Sequence, residues 1–177
     1  MEQIKWIPGS FALPFPDDNY IAEYEQYWRV RLPDDFKLFL KRYGGGDPHY
    51  ASFLAGGHEW AIDRFLCLLS NFKDNPLGWY DIDVVWSQIV DRLGEDPDAL
   101  GAEMLPIVVL FAGDYVCLDY RASKESPRED PTVVVWLHED SEYLSPATIP
   151  VADTFTEFLE MIQPYEKKPP EWYSEQQ

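Results

Sequence analysis

The stretch from Leu105 to Glu139 constrains the fold more than any other part of the chain. It begins Leu105-Pro106-Ile107-Val108-Val109-Leu110-Phe111, turns at Ala112-Gly113-Asp114, and resumes as Tyr115-Val116-Cys117-Leu118-Asp119-Tyr120. A polar, proline-bearing loop from Arg121 to Asp130 then leads to Pro131-Thr132-Val133-Val134-Val135-Trp136-Leu137. β-Branched and aromatic residues suit a pleated, half-buried surface, and turn formers break the runs, so three consecutive strands are expected. The tight first turn makes the first two strands an antiparallel hairpin, and the longer second loop suits another. This three-strand meander is the predicted centre of a sheet.

The rest of the chain supplies helices to cover it. At 177 residues the sequence is long enough to bury a core without disulfides or metal, and it reads as a single domain over 1–177. A hydrophobic content of 46% and an aromatic content of 16% belong to a globular protein rather than a disordered one. Residues 18 to 28 place Tyr20, Ile21, Tyr24, Tyr27 and Trp28 at helical spacing, with Asp17, Asp18 and Asn19 as cap candidates. A second helix is punctuated at both ends. Pro33 sits in its first turn, where a missing N–H is no loss. Asp34 and Asp35 face the positive end of its dipole, Lys41 and Arg42 the negative end, and Gly44-Gly45-Gly46 stops it. Because this glycine run follows a helix and no Lys-Ser/Thr pair succeeds it, it is not a phosphate loop.

Further strands are expected over Tyr50 to Leu54 and His58 to Leu69, with a turn at Ala55-Gly56-Gly57. The alternation of the longer one loses phase near Arg64, where a bulge or strand end is expected. Residues 82 to 93 read as a helix through Val85, Trp86, Ile89, Val90 and Leu93, closed by Gly94. Asp153 or Thr154 caps a final helix bearing Phe155, Phe158, Leu159 and Ile162. The predicted architecture is α+β: a central, mostly antiparallel sheet of about five or six strands flanked by about four helices. Its core runs over about 18–163. Residues 1–17, with three prolines among five large apolar residues, form an extended arm laid on the domain, and 164–177 form a proline-rich tail in which Trp172 rests on the surface.

Chemistry is harder to place. Zinc needs closely spaced ligands, yet Cys67, Cys117, His49, His58 and His138 stand singly. Cys117, His138 and Asp119 could be assembled on paper into a nucleophilic set, but Cys117 lies between Val116 and Leu118 in a central strand, the setting of an inert thiol. A hydrolase using acids such as Asp119 or Glu139 has no positioned partner in its favour, because thirty-two acids always offer some pair. No catalytic residue, metal or cofactor is read from the sequence, and an unrecognised hydrolase stays open as a third reading. With two cysteines, both in apolar runs, and no signal peptide or membrane-length segment, the expected location is the reducing cytoplasm.

Charge points to a partner. Fourteen basic and thirty-two acidic residues leave a net −18. Nucleic-acid phosphates and anionic membranes are poor partners for such a surface, whereas a basic protein is a good one. Aromatic anchors within a charged rim are common at tight interfaces. The expected contact set is Trp79, Tyr80, Asp81 and Asp83; Glu95, Asp96 and Asp98; and Glu139, Asp140, Glu142 and Tyr143, on loops 78–83, 95–98 and 139–143.

Four blocks resemble the SUKH superfamily, the Smi–Knr type domain. They are Leu32-Pro33-Asp34-Asp35-Phe36-Lys37-Leu38-Phe39-Leu40 running into the glycines; the strand from Ile62 to Phe65; Leu105-Pro106-Ile107 with Gly113-Asp114-Tyr115-Val116-Cys117-Leu118-Asp119; and Val133-Val134-Val135-Trp136 through His138-Glu139 to Ala152-Asp153-Thr154-Phe155-Thr156-Glu157-Phe158-Leu159. Tyr43 stands where the family tends to carry Asn, and Val109-Leu110-Phe111 is more apolar than usual. The resemblance implies a helix-flanked antiparallel sheet and a non-enzymatic binding role. Bacterial members look like immunity proteins that neutralise toxins, often nucleases; fungal members look like regulatory scaffolds of cell-wall signalling. The expected function is stoichiometric binding of a cognate basic toxin, with a regulatory interaction module as the alternative.

Overall fold

The computed structural model describes residues 4–164 of the protein. An antiparallel sheet of seven strands forms its centre: β1 (Ala51–Ala55), β2 (His58–Phe65), β3 (Met104–Leu110), β4 (Tyr115–Asp119), β5 (Thr132–Trp136), β6 (Thr148–Ala152) and β7 (Gln163–Pro164), in the spatial order β6-β5-β4-β3-β2-β1-β7. Four α-helices accompany it: α1 (Asp18–Trp28), α2 (Asp34–Tyr43), α3 (Ile82–Ile89) and α4 (Phe155–Met161). The class is the expected α+β, and the strands β3, β4 and β5 are the expected meander.

Register explains why the meander strands read as unbroken apolar runs. Leu118 of β4 lies opposite both Leu105 and Val133. Leu105, Val116, Leu118, Val133 and Val135 join the main core, while Met104, Cys117, Val134 and Trp136 pack with Leu93 in a second cluster. Successive strand residues point to opposite faces. Both faces of these strands are covered, so both sets of residues must be apolar.

The main face is closed by α2 and α4. Phe36 and Phe39 of α2 meet Phe155 at ring-centroid distances of 5.0 and 5.4 Å, Phe39 meets Phe65 at 5.0 Å, and Phe53 meets Phe158 at 5.2 Å. Such tilted and edge-to-face pairs add about 0.5–1.5 kcal/mol each beyond burial. The first turns of the two helices are also tied, because the Thr156 N–H and hydroxyl donate to Asp35 Oδ2 at 2.9 and 2.7 Å. Pro33 is the N-cap of α2, one position before the expected first turn, and Gly44 ends the helix in left-handed backbone at φ 54°. A Cβ on Gly44 would meet Phe15 Cδ1 at 2.5 Å and Ala12 O at 2.7 Å, so the glycine also makes room for the N-terminal arm.

The described part of that arm lies on the domain as expected. Trp6 stacks on Tyr43 at 5.3 Å, the Ile7 N–H donates to Asp47 O at 2.9 Å, and Ala12 is buried. The expected resting place of Trp172, with the rest of residues 165–177, lies outside the described residues.

The strand count exceeds the expected five or six. The sixth strand, β6, is half-exposed along its length and contains Pro150, so it has neither the alternation nor the apolar run of an inner strand. The two residues of β7 are a strand only because they pair with Ala51 and Ser52 across the sheet, and nothing local marks them. The register shifts in β2 between Ile62 and Arg64, where the alternation loses phase, and the strand ends at Phe65 rather than Leu69. The expected helix over 82–93 is α-helical only to Ile89 and tightens into a 3₁₀ turn over Val90–Arg92. Thr154 caps α4, accepting from the Glu157 N–H at 3.2 Å, and Ile162 lies just past its end. Among the described residues no helix is long and apolar enough to cross a membrane.

Candidate protein-interaction site

The end of the sheet beside α3 is built around buried polar groups. Asp81 caps α3. Its Oδ1 accepts from the Asp83 and Val84 N–H groups at 2.9 and 3.3 Å, and its Oδ2 accepts from the Leu69 N–H at 2.7 Å. It thus staples the segment after β2 to the start of the helix. The residue is 0% exposed, and burial pushes its carboxyl up to about 6 against the pull of those three N–H groups. Asp81 therefore leaves the expected contact surface: a short acid between Tyr80 and Ile82 reads as surface charge, but here it is an internal cap. Asp83 is half-buried and accepts from Trp28 Nε1 at 3.1 Å.

Beyond α3, two further charged residues hold loop backbone. Glu103 is 6% exposed, and its Oε2 accepts from the Glu95 and Asp96 N–H groups at 2.7 and 3.0 Å. A Cβ on Gly94 would stand 2.4 Å from that oxygen, so the glycine makes room for the carboxylate. Arg92 reaches the other way. Its Nη2 donates to the carbonyls of His138 and Ser141, the latter at 2.6 Å, and its guanidinium lies 5.1 Å over the Trp136 ring. The Leu144 N–H donates to Asp91 O at 2.9 Å. Residues about fifty apart in sequence are thereby fixed side by side.

Between them opens a cleft of about 340 Å³. Tyr27 and Trp86 stand in it edge to face at 6.3 Å, and Tyr143 enters from the opposite loop. Tyr27 is 63% and Tyr143 68% exposed. Asp91, Asp96 and Glu103 also line it, with Arg29 the one basic residue of the lining. The structure thus brings two of the three expected loops, 95–98 and 139–143, to one cleft through Asp96 and Tyr143. Asp98, Glu139, Asp140 and Glu142 are exposed on those same loops. Glu95 is exposed too, but it pairs with Arg121 at 2.5 Å, and Arg121 in turn holds Asp119 at 2.7 Å. Trp79 is 75% exposed, yet neither it nor the half-buried Tyr80 lines the cleft. Reading the sequence missed Tyr27, Trp86, Asp91, Arg92 and Glu103 as parts of this site. The first two sit at helical spacing that looks like core, and the last two act through contacts no local pattern shows.

The nucleophilic set conceivable from sequence is not assembled. Cys117 is fully buried, and burial drives its thiol well above the ordinary range. His138 Nδ1 lies 3.0 Å from Asp114, and Asp119 is held by Arg121. Cys67 is buried in a different cluster, with Ala12 and Leu69, and its thiol is pushed up to about 12. Among the described residues no three His, Cys, Asp or Glu side chains group as metal ligands.

A helix-flanked antiparallel sheet with an aromatic cleft between acidic loops makes this an acidic α+β domain. The family model described as SMI1-KNR4 cell-wall, within SUKH, matches residues 18–159, and the chain belongs to that family. No curated protein and no solved structure matches it. SUKH domains are generally immunity or regulatory proteins without enzymatic activity, and membership agrees with either role.

Proposed function

We propose that the protein is a non-enzymatic immunity protein that binds a cognate basic toxin domain, such as a nuclease, in a stoichiometric complex in the cytoplasm and occludes its active site. One observation carries the reading: two acidic loops far apart in sequence meet at one aromatic-walled cleft, in a chain of net charge −18. A basic active site is drawn to such a surface by long-range attraction and held there by aromatic anchors. The direct test is to incubate the tagged protein with extract of its source organism and with the product of any adjacent large gene, identify the retained chain, and score complex formation and cell survival. A 1:1 complex that relieves toxicity, with an association rate that falls as salt is added, is the expected result. A complex indifferent to salt would remove the electrostatic part.

The family's cell-wall description favours a second reading, a regulatory module with several partners. It predicts micromolar binding to cell-wall or signalling proteins and no protection of toxin-exposed cells.

A further inference from the structure

The cleft beside α3 is more specific than an acidic surface, and its lining names the chemistry of what enters. We infer that it receives one arginine side chain of the basic partner, a proposal that rests on the immunity reading above. A volume of about 340 Å³ is at the low end of ordinary ligand pockets, which run from about 300 to 1,000 Å³, and suits one long side chain better than a folded ligand. Tyr27 and Trp86 meet edge to face, with interplanar angle 80°, so they do not cover each other as a stacked pair would. With Tyr143 they offer flat, electron-rich surfaces to a cation.

The charges agree with that occupant. Glu103 is paired with Arg128, and the exposed Asp91 and Asp96 outnumber Arg29 by two to one along the lining. Glu103 is more than nine-tenths buried. Its Oε2 accepts from backbone and its Oε1 faces the buried Arg128 guanidinium at 3.9 Å, so its charge is balanced within the fold and the exposed Asp91 and Asp96 are the carboxylates left for a guest. An anionic side chain would be repelled, and an apolar one would strip water from carboxylates without replacing it. A lysine matches the charge but has no plane to lay on the rings, whereas a guanidinium stacks and pairs at once.

N-Acetyl-arginine amide tests this apart from any toxin, with the citrulline amide as its uncharged isostere and the lysine amide as the competing cation. The Trp86 indole N–H resonance reports occupancy by NMR. A saturable shift with the arginine amide is expected, weaker by about fivefold or more with the citrulline and lysine amides, and weakened similarly in Tyr143→Ala and Asp96→Asn, two exposed positions. Equal response to all three amides, no response at Trp86, or full affinity in both variants would each overturn the inference. The same variants mixed with the toxin domain separate the two proposals. Should toxin bind both variants at wild-type affinity, the cleft is not the arginine site and the immunity reading stands. Should the arginine amide bind the cleft while no basic toxin binds the protein, the immunity reading falls instead.

Discussion

On the α2–α4 face, Phe36, Phe39, Phe53, Phe65, Phe155 and Phe158 pack ring against ring, and Thr156 ties the two helices by donating to Asp35 at the rim. At the α3 end, Asp81, Arg92 and Glu103 hold segments that have little regular structure of their own. The first region is secured by area removed from water, which is insensitive to small rotations of the helices. The second depends on a few directional bonds to charged groups, which fix backbone position closely but fail singly when an acceptor is lost. A cleft that must present aromatic and acidic groups at set distances needs the second kind of support; a core needs only the first.

Substitutions in the two regions should separate these supports. Phe39→Ala, at a fully buried ring, should destabilise the whole domain by about 3–5 kcal/mol in chemical denaturation, with all parts unfolding together. Asp81→Ala leaves three backbone donors without their acceptor and should cost about 2–3 kcal/mol. A comparable drop at Phe39 and Asp81, or a larger one at Asp81, would reverse the ranking of the two regions.

Asp81 also gives the contrast a pH signature. An aspartate in the unfolded chain ionises near ~3.9, whereas in the fold this carboxyl is pushed up to about 6. Between those values the native state holds a proton that the unfolded state has released. The contribution of Asp81 is therefore fully favourable below about pH 4, declines as pH rises to about 6, and is flat above that. The denaturation free energy of Asp81→Asn should show a shallower decline over that window than the parent chain. Identical profiles would mean that the three N–H groups cancel the effect of burial.

Glu103→Ala should cost less, about 1–2 kcal/mol, and act locally: amide exchange should quicken at Glu95 and Asp96 while the amides of β4 stay protected. Loss of protection throughout the sheet would show that the loop is coupled to the core. The smallest effect on stability, within about 0.5 kcal/mol, is expected for Tyr143→Ala, which is exposed and whose loss is read only in binding.

Much of the fold was legible because it rests on local patterns. Asp17, one of three cap candidates before the aromatic stripe, caps α1, and Gly44 closes α2 where the glycine run begins. The loss of phase near Arg64 is a real irregularity between β2 and β3. The edge strands were not legible, since β6 has no alternation and β7 owes its existence to β1. In the site, the acids of 95–98 and 139–143 were visible as charge, but charge alone did not distinguish the internal cap Asp81 from exposed Asp96.

By itself, then, the sequence determined the helices, the meander, the acidic surface and the SUKH membership, because spacing, capping residues and composition act over a few residues or over the whole chain at once. Only the tertiary structure decided which acids are buried, which loops meet and where a cleft opens. Asp81 reaches Leu69, Glu103 reaches back to Glu95 and Asp96, and Arg92 reaches Ser141. Those bonds depend on which strands become neighbours, and partner choice across a sheet is a property of the packed whole.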